Sequence, residues 1–339
     1  MRSFFGVRYM QITKPSYYDT FRCIASGCPD SCCKEWDVQV DEVSAARYRS
    51  LPGKLGDDLR RVLRDEDGET VITITDGRCP MWRDDGLCRI QAELGEEALC
   101  RTCREFPRLR HDYGDFLELT LELSCPGAAR LILSAPAEPP VCREINGGEE
   151  PDYDEEAMAV LKATRSGALG LLADEIRDVP HTLAALLLYG CQAQGKLDGE
   201  EEMSFDADAA LESASEFAKK NSISDILAVF RGLEILTPEW EARLSTPCSG
   251  PWREEFRKLA RYFVERYWLQ AVSDYDLYSR VKFIVVSCLV VRALGGDFLR
   301  TAQLYSKEIE NSTENVEALL DAAYEDPALT DDRLLGLLI

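Results

Sequence analysis

The hydrophobic positions change period twice along the chain. From Glu69 the chain alternates Val71, Thr73 and Thr75 against Ile72 and Ile74; this β-branched run predicts a strand ending at Asp76-Gly77. DEVSAARYRSL from Asp41 predicts a short helix with an aspartate cap, and Asp57–Asp65 predicts another. After Gly86 the period turns helical through CRIQAEL and EEALCRTCREF and stops at Pro107. LRHDYGDFLELTLEL gives two extended runs around Gly114-Asp115, a hairpin. CPGAARLILSA predicts a helix opening after Cys125, with Pro126 at its first position. Farther on the 3.6 period takes over. WREEFRKLARYFVERYWLQAV places Phe256, Leu259, Phe263, Tyr267 and Gln270 on one face, and LYSRVKFIVVSCLVVRAL follows. The apolar run Phe283–Val291 is about half of the ~20 residues that a spanning helix needs. It predicts a buried core helix and no membrane insertion.

Between these regimes lies APAEPPVCREINGGEEPDY, with four of the chain's fifteen prolines and two glycines. The expected organisation is a cysteine-rich region over residues 1–135, a linker over 136–153 and a helical domain over 154–339. The fold class that follows is mainly α with a small α+β part, the N-terminal cysteine-rich metal-binding region packed on a C-terminal helical array. The segment Asp198–Glu216 carries eight acids and no base and reads as a solvated face.

The 339 residues can bury a core without disulfide staples, and MRSFFGVRYMQITKPSYYD lacks the apolar stretch of a secretory signal. These features predict a soluble, cytoplasmic protein whose thiols stay reduced. Thirty-nine basic against 61 acidic residues give a net charge of −22, which repels phosphate backbones and disfavours nucleic acid as a partner.

Nine of the thirteen cysteines fall between Cys23 and Cys125, in groups. The first group is Cys23, Cys28, Cys32 and Cys33. Cys79 and Cys88 follow, then Cys100 and Cys103, then Cys125. In a reducing compartment such grouping points to metal rather than disulfides. Structural zinc sites usually take paired Cys-x2-Cys knuckles, and only Cys100 and Cys103 have that spacing. The irregular Cys-x4-Cys-x3-Cys-Cys run suits an iron–sulfur cluster better, with zinc as the alternative. Adjacent Cys32 and Cys33 point in different directions on any regular backbone, so one of them is expected at a given centre. Of the two histidines, His111 in the hairpin is a possible ligand and His181 at a helix start reads as structural. Cys288, amid valines, reads as a core thiol. No G-x-G-x-x-G, Walker A, G-x-S-x-G or H-E-x-x-H motif is present, nor the Cys-x3-Cys-x2-Cys loop of radical S-adenosylmethionine enzymes.

The blocks FRCIASGCPDSCCKEWDVQVDEVSAARYRSL, CPMWRDDGLCRIQAELGEEALCRTCREFPR and LELSCPGAARLIL, with the tail LYSKEIENSTENVEALL, resemble the flagellin lysine-N-methylase family. The first two blocks alone also resemble the broader zinc- or iron-chelating cysteine-cluster proteins. The methylase resemblance implies transfer of methyl from S-adenosylmethionine to lysines of flagellin or another lysine-rich protein, with a cysteine-bound iron–sulfur cluster, [4Fe-4S] in type. The family resemblance also implies a histidine near Asn311, where this chain departs. A non-catalytic zinc- or iron-binding protein is the alternative. Methylation needs a neutral amine, against lysine's reference pKa of about 10.4. Tyr17, Tyr18, Trp36, Asp37, Glu118 and Glu122 lie near the cysteine blocks as candidates to line such a pocket. Glu118 and Glu122 read more simply as the solvent face of a strand, and Glu308 and Glu310 equally as surface helix charges. A donor site between the two regions is the expectation, because clefts favour such interfaces.

Overall fold

The computed structural model describes residues 9–34, 36–66, 68–136, 138–200 and 204–339. The N-terminal part opens with β1 (Tyr9–Lys14) and β2 (Val38–Val40), followed by α1 (Glu42–Ser50) and α2 (Gly53–Val62). Next come β3 (Leu63–Glu66), β4 (Glu69–Ile72), α3 (Arg89–Leu94) and α4 (Arg101–Glu105). The hairpin β5 (Arg108–Asp112) and β6 (Phe116–Leu121) leads into α5 (Pro126–Ser134) and β7 (Val141–Asn146). The remainder is helical: α6 (Glu155–Ala173), α7 (Val179–Leu197), α8 (Ala207–Ser215), α9 (Ile223–Arg231), α10 (Pro238–Ser245), α11 (Glu255–Tyr267), α12 (Leu277–Leu294), α13 (Phe298–Ile309), α14 (Thr313–Glu325) and α15 (Asp331–Leu338). The chain is thus mainly α with a small β part.

Local chemistry sets many of these boundaries. The Asp41 carboxylate accepts the Ser44 N–H at 3.0 Å and opens α1. Asp154, Asp178, Asp276 and Asp297 cap α6, α7, α12 and α13 in the same way. An anion there satisfies orphan N–H groups and meets the positive end of the helix dipole. Pro126 opens α5 as expected. The strand expected to run from Glu69 to Asp76-Gly77 ends at Ile72, and the helical stretch before Pro107 breaks at Gly95 (φ 88°) into α3, a short 3-10 turn and α4.

Two sheets result. In the larger, ordered β5-β6-β1-β7, β1 runs parallel to β6 and antiparallel to β7. Strand β7 comes from residues 136–153, where no element was expected, because its register is supplied by β1 rather than by any alternation of its own. The smaller sheet, β2-β4-β3, is antiparallel. It has a separate core of Val38, Val40, Tyr48, Leu59, Ile72 and Met81, which also takes in Cys79 and Cys100. The main core joins Phe116, Leu121 and Leu123 of the larger sheet to Leu161, Trp268 and Ile284 of the helices.

Helix α12 is buried almost all round, as its apolar run requires. Its polar groups are met from inside: Lys282 donates to the Ala323 carbonyl at 3.0 Å, and Ser287 to the Phe283 carbonyl at 2.6 Å. No helix among the described residues is long and apolar enough to cross a membrane. At the end of α12, Gly295 adopts φ 60°, and a Cβ there would run into the Cys248 carbonyl. Gly295→Ala is therefore expected to lower stability by about 1–3 kcal/mol. In guanidinium titrations the midpoint should fall with an unchanged slope; an unmoved midpoint would contradict this account.

Candidate functional site

The nine clustered cysteines lie at the seam between the two cores. Cys79 and Cys100 are buried in the small core, with Cys33 and Cys88 packed on it, while Cys125 packs on the main core. Cys28 is half-buried, and Cys23, Cys32 and Cys103 are exposed. Backbone pairing sets their neighbours: the Cys79 N–H donates to the Cys33 carbonyl at 2.8 Å, and Cys88 bridges Trp82. The sulfurs interact electrostatically in a connected chain, with Cys32 most strongly tied to Cys33. Cys79 and Cys88 interact with Cys33 and Cys100, whereas Cys32 and Cys125 interact with Cys23, and Cys125 also with Cys28. Cys103 reaches Cys100, Cys32 and Cys33. The adjacent Cys32 and Cys33 are joined by a hydrogen bond and link the two groups.

Burial raises the thiols of Cys79 to about 12 and of Cys125 to about 11, and raises that of Cys88 as well. Backbone N–H groups oppose this, from Met81 on Cys79, Gln91 and Ile90 on Cys88, and Ala128 and Gly127 on Cys125. A hydrogen bond from Cys32 brings Cys33 down to about 7, and one from Cys103 lowers Cys100. Cys88, Cys100 and Cys125 occupy the N-caps of α3, α4 and α5, where the helix dipole favours thiolate. The donor set therefore suits a thiolate-bound metal in its chemistry. Among the described residues, however, no three His, Cys, Asp or Glu side chains converge closely enough to cage an ion.

Helix α13 grips this region from the C-terminal side. Asp30, between Cys28 and Cys32, is 7% exposed and accepts from Lys307 at 3.0 Å, Arg300 at 2.9 Å and Gln303 at 3.1 Å. Gln303 also donates to the Ser124 carbonyl at 2.6 Å, next to Cys125. The Lys307 ammonium lies 5.5 Å from the centre of the Trp36 ring.

A cavity of about 170 Å³ lies between the larger sheet and helices α5, α6 and α11. The sheet register builds its floor: Thr13 pairs with Glu118 and Glu118 with His111, so the three side chains form a row on one face. Arg165 of α6 clasps Glu118 in a fork of 2.8 and 2.6 Å, and Arg261 of α11 donates to Glu265 at 2.8 Å. Tyr17 and Tyr262 complete the walls, both phenols pushed up by burial and so protonated. Burial, with the Arg266 charge, lowers His111 to about 4; its Nε2 is enclosed and has no hydrogen-bond partner. Ile132 and Ala135 line this cavity at the far end of α5 from Cys125. Ile132 and Ala135 follow Cys125 by an axial rise of roughly 10 to 15 Å.

The sequence candidates divide accordingly. Tyr17 and Glu118 line the cavity, whereas Trp36 sits under Lys307 and Asp37 accepts the Ile74 N–H. Glu118 is not a solvated strand face, since its side chain is 16% exposed and ion-paired. Glu122 is buried and takes the Ser124 hydroxyl at 3.0 Å. Glu308 is fully buried, and the Glu310 side chain is enclosed by Arg266, Tyr262 and Tyr267. His181 is held by Asp178, and Cys288 is a core thiol, both as expected. Asp30, Arg165 and Gln303 carry no signal in the local pattern, because their partners lie 47 to 277 residues away.

Among proteins of known name, the chain is 31% identical over 140 residues to the flagellar biosynthetic protein FliU of Salmonella muenchen, covering 38% of this chain and 81% of that protein. It is also 31% identical over 140 residues to the lysine-N-methylases of Salmonella typhimurium and Salmonella choleraesuis. The match spans 34% of the length of each of those two. No family model matches the chain, and no solved structure does. With most of the FliU chain matched at this identity, the protein belongs to the flagellin lysine-N-methylase family.

Proposed function

We propose that this protein is a protein-lysine N-methyltransferase that moves a methyl group from S-adenosylmethionine to lysine side chains, with flagellin as substrate. In this proposal the cysteines at 23, 28, 32, 33, 79, 88, 100, 103 and 125 hold an iron–sulfur cluster, with zinc as the alternative metal. The observation that carries the proposal is the likeness to proteins named lysine-N-methylase. The cavity on the sheet face is the proposed reaction site. Attack on the donor methyl needs the lysine lone pair, so the ammonium must first lose a proton. Low-dielectric walls disfavour the ammonium, and Glu118 and Glu265 are carboxylates within the same cavity that can take the proton. Arg165 and Arg261 fix those carboxylates, and neutral His111 offers a lone pair without adding charge. Thiolates draw together on a metal as it binds, so closure of the sulfurs would accompany loading. A bound cluster would supply a rigid cross-link between the two cores or a redox centre.

The test uses anaerobically purified protein, flagellin and a methyl-labelled donor. Label on flagellin lysines is expected, together with saturable donor binding by calorimetry. Metal binding without any donor affinity would instead leave a non-catalytic metalloprotein. Iron with acid-labile sulfide in a brown sample supports the cluster; a colourless sample with stoichiometric zinc overturns that part.

A further inference from the structure

The cavity between the larger sheet and α5, α6 and α11 carries most of its charges as closed pairs. Arg165 is taken up by Glu118, Arg261 by Glu265, and Lys14 by Asp19, which is not part of the lining. One cation and one anion are left over. Among the described residues, the Lys258 ammonium and the Glu138 carboxylate have no ionic mate, and they do not pair with each other although both line the same space. Lys258 belongs to α11 and Glu138 to the segment between α5 and β7. Lys258 is half-buried, so its charge is less screened than on an open surface, and a ligand carboxylate that met it would form a charge-assisted hydrogen bond. Pro15, Ile132, Pro136 and Leu169 make much of the remaining wall apolar, and the rings of Tyr17 and Tyr262 offer π faces that attract onium groups.

Helix α11 sets the spacing. Lys258, Arg261 and Glu265 follow one another at i, i+3 and i+7 and share one face. The seven-residue step puts Glu265 roughly 10 Å along the axis from Lys258. An anion held by Lys258 therefore lies at one end of this wall, with the carboxylate proposed as proton acceptor at the other.

We infer that Lys258 and Glu138 form a site for the α-amino-acid end of a small ligand, Lys258 taking its carboxylate and Glu138 its ammonium. One spare charge of each sign matches a zwitterion. A phosphate ester would instead bring two negative charges to a lining with a single spare cation. S-adenosylmethionine has the required end group, and naming it as the occupant rests on the proposed methyl transfer. The two charges themselves require only an α-amino acid.

The test measures binding by calorimetry on the full chain, with S-adenosylmethionine and its decarboxylated form as probes. Wild type is expected to bind the intact compound about tenfold more tightly than the decarboxylated one. Lys258→Met, which keeps the apolar stem, should bind the two about equally, and Lys258→Arg should keep the preference. Glu138→Gln should weaken both probes by the same factor, because both retain the ammonium. A wild type without the preference, whether it binds both probes or neither, or a Lys258→Met variant that keeps it, overturns the assignment. Methyl label on flagellin lysines in that event would leave the methylase proposal standing. A Lys258-dependent preference in a protein that transfers no label would do the reverse, removing the methylase proposal and leaving the amino-acid site.

Discussion

Asp30→Ala is expected to destabilise the protein by about 3–5 kcal/mol, the range for removing one member of a buried ion pair. Its carboxylate is the point at which three side chains of α13 converge, and Lys307 is itself only 3% exposed. Burial alone would raise the Asp30 carboxyl. The Lys307 charge and the hydrogen bonds from Arg300, Lys307 and Gln303 outweigh it, so the group is held below the ordinary carboxylate range and is ionised at neutral pH. Without it the Lys307 ammonium stays enclosed with the Asp30 charge gone. Arg300 fares better because it also pairs with Glu239. The contrast gives the measurement its resolution. Lys307→Met removes the other charge, and the stem of methionine can still cover Trp36. The double variant D30A/K307M should then be more stable than the sum of the single losses predicts, with a coupling of at least about 1 kcal/mol in denaturant unfolding. Strictly additive losses would mean that the pair is not the link described here. The same contact ties residues 28–32 to the helical array, so proteolysis near Cys28 should also quicken in Asp30→Ala.

What could be read from the sequence, and what could not, separates along the range of the interactions. The Asp41 cap, the Gly114 hairpin and the Pro126 start are each decided within a few residues, and each is present as expected. The buried helix α12 was equally legible, since a run apolar on every face has few other uses. Strand β7 was not, because VCREIN shows no clean alternation and its six residues are ordered by six pairings to β1. Nor could Glu308 and Glu310 be told from surface charges. A helix with acids at i and i+2 looks amphipathic until Leu236, Tyr262 and Tyr267 close over it. The cavity shows both cases at once. The cross-strand register that aligns His111 with Glu118 follows from the hairpin, but the arginine that holds Glu118 comes from α6, 47 residues later.

Two buried groups are expected to oppose each other in the pH dependence of stability, over almost the same interval. Burial raises Glu308 from 4.5 to about 7, although the Thr237 and Leu236 hydrogen bonds and the Lys307 charge hold it back; its Oε1 has no partner. A raised acid keeps its proton longer in the folded state. The favourable contribution is therefore complete below pH 4.5 and is lost as pH rises through about 7. His111 behaves in the opposite way. Burial lowers it from 6.5 to about 4, helped by Arg266 and resisted by Glu118, so its contribution is complete above pH 6.5 and is lost as pH falls through about 4. Each interval spans about 2.5 units, which sets an upper bound of about 3 kcal/mol for either group. Asp332, held at about 2 by the Lys219 hydrogen bond, titrates below both. The wild-type protein should therefore show a nearly flat stability profile between pH 5 and 6.5. Glu308→Gln should expose the His111 slope, with stability rising with pH over this interval. His111→Gln should expose the reverse, with stability falling as pH rises towards 7. Unfolding free energies for the three proteins at half-unit steps from pH 4.5 to 7.5 decide the matter, and parallel profiles would refute the opposition. The outcome also bears on function. The same burial that holds His111 neutral makes it a hydrogen-bond acceptor at the proposed amine position, so a wild-type imidazole that titrated near pH 6.5 would remove both roles together.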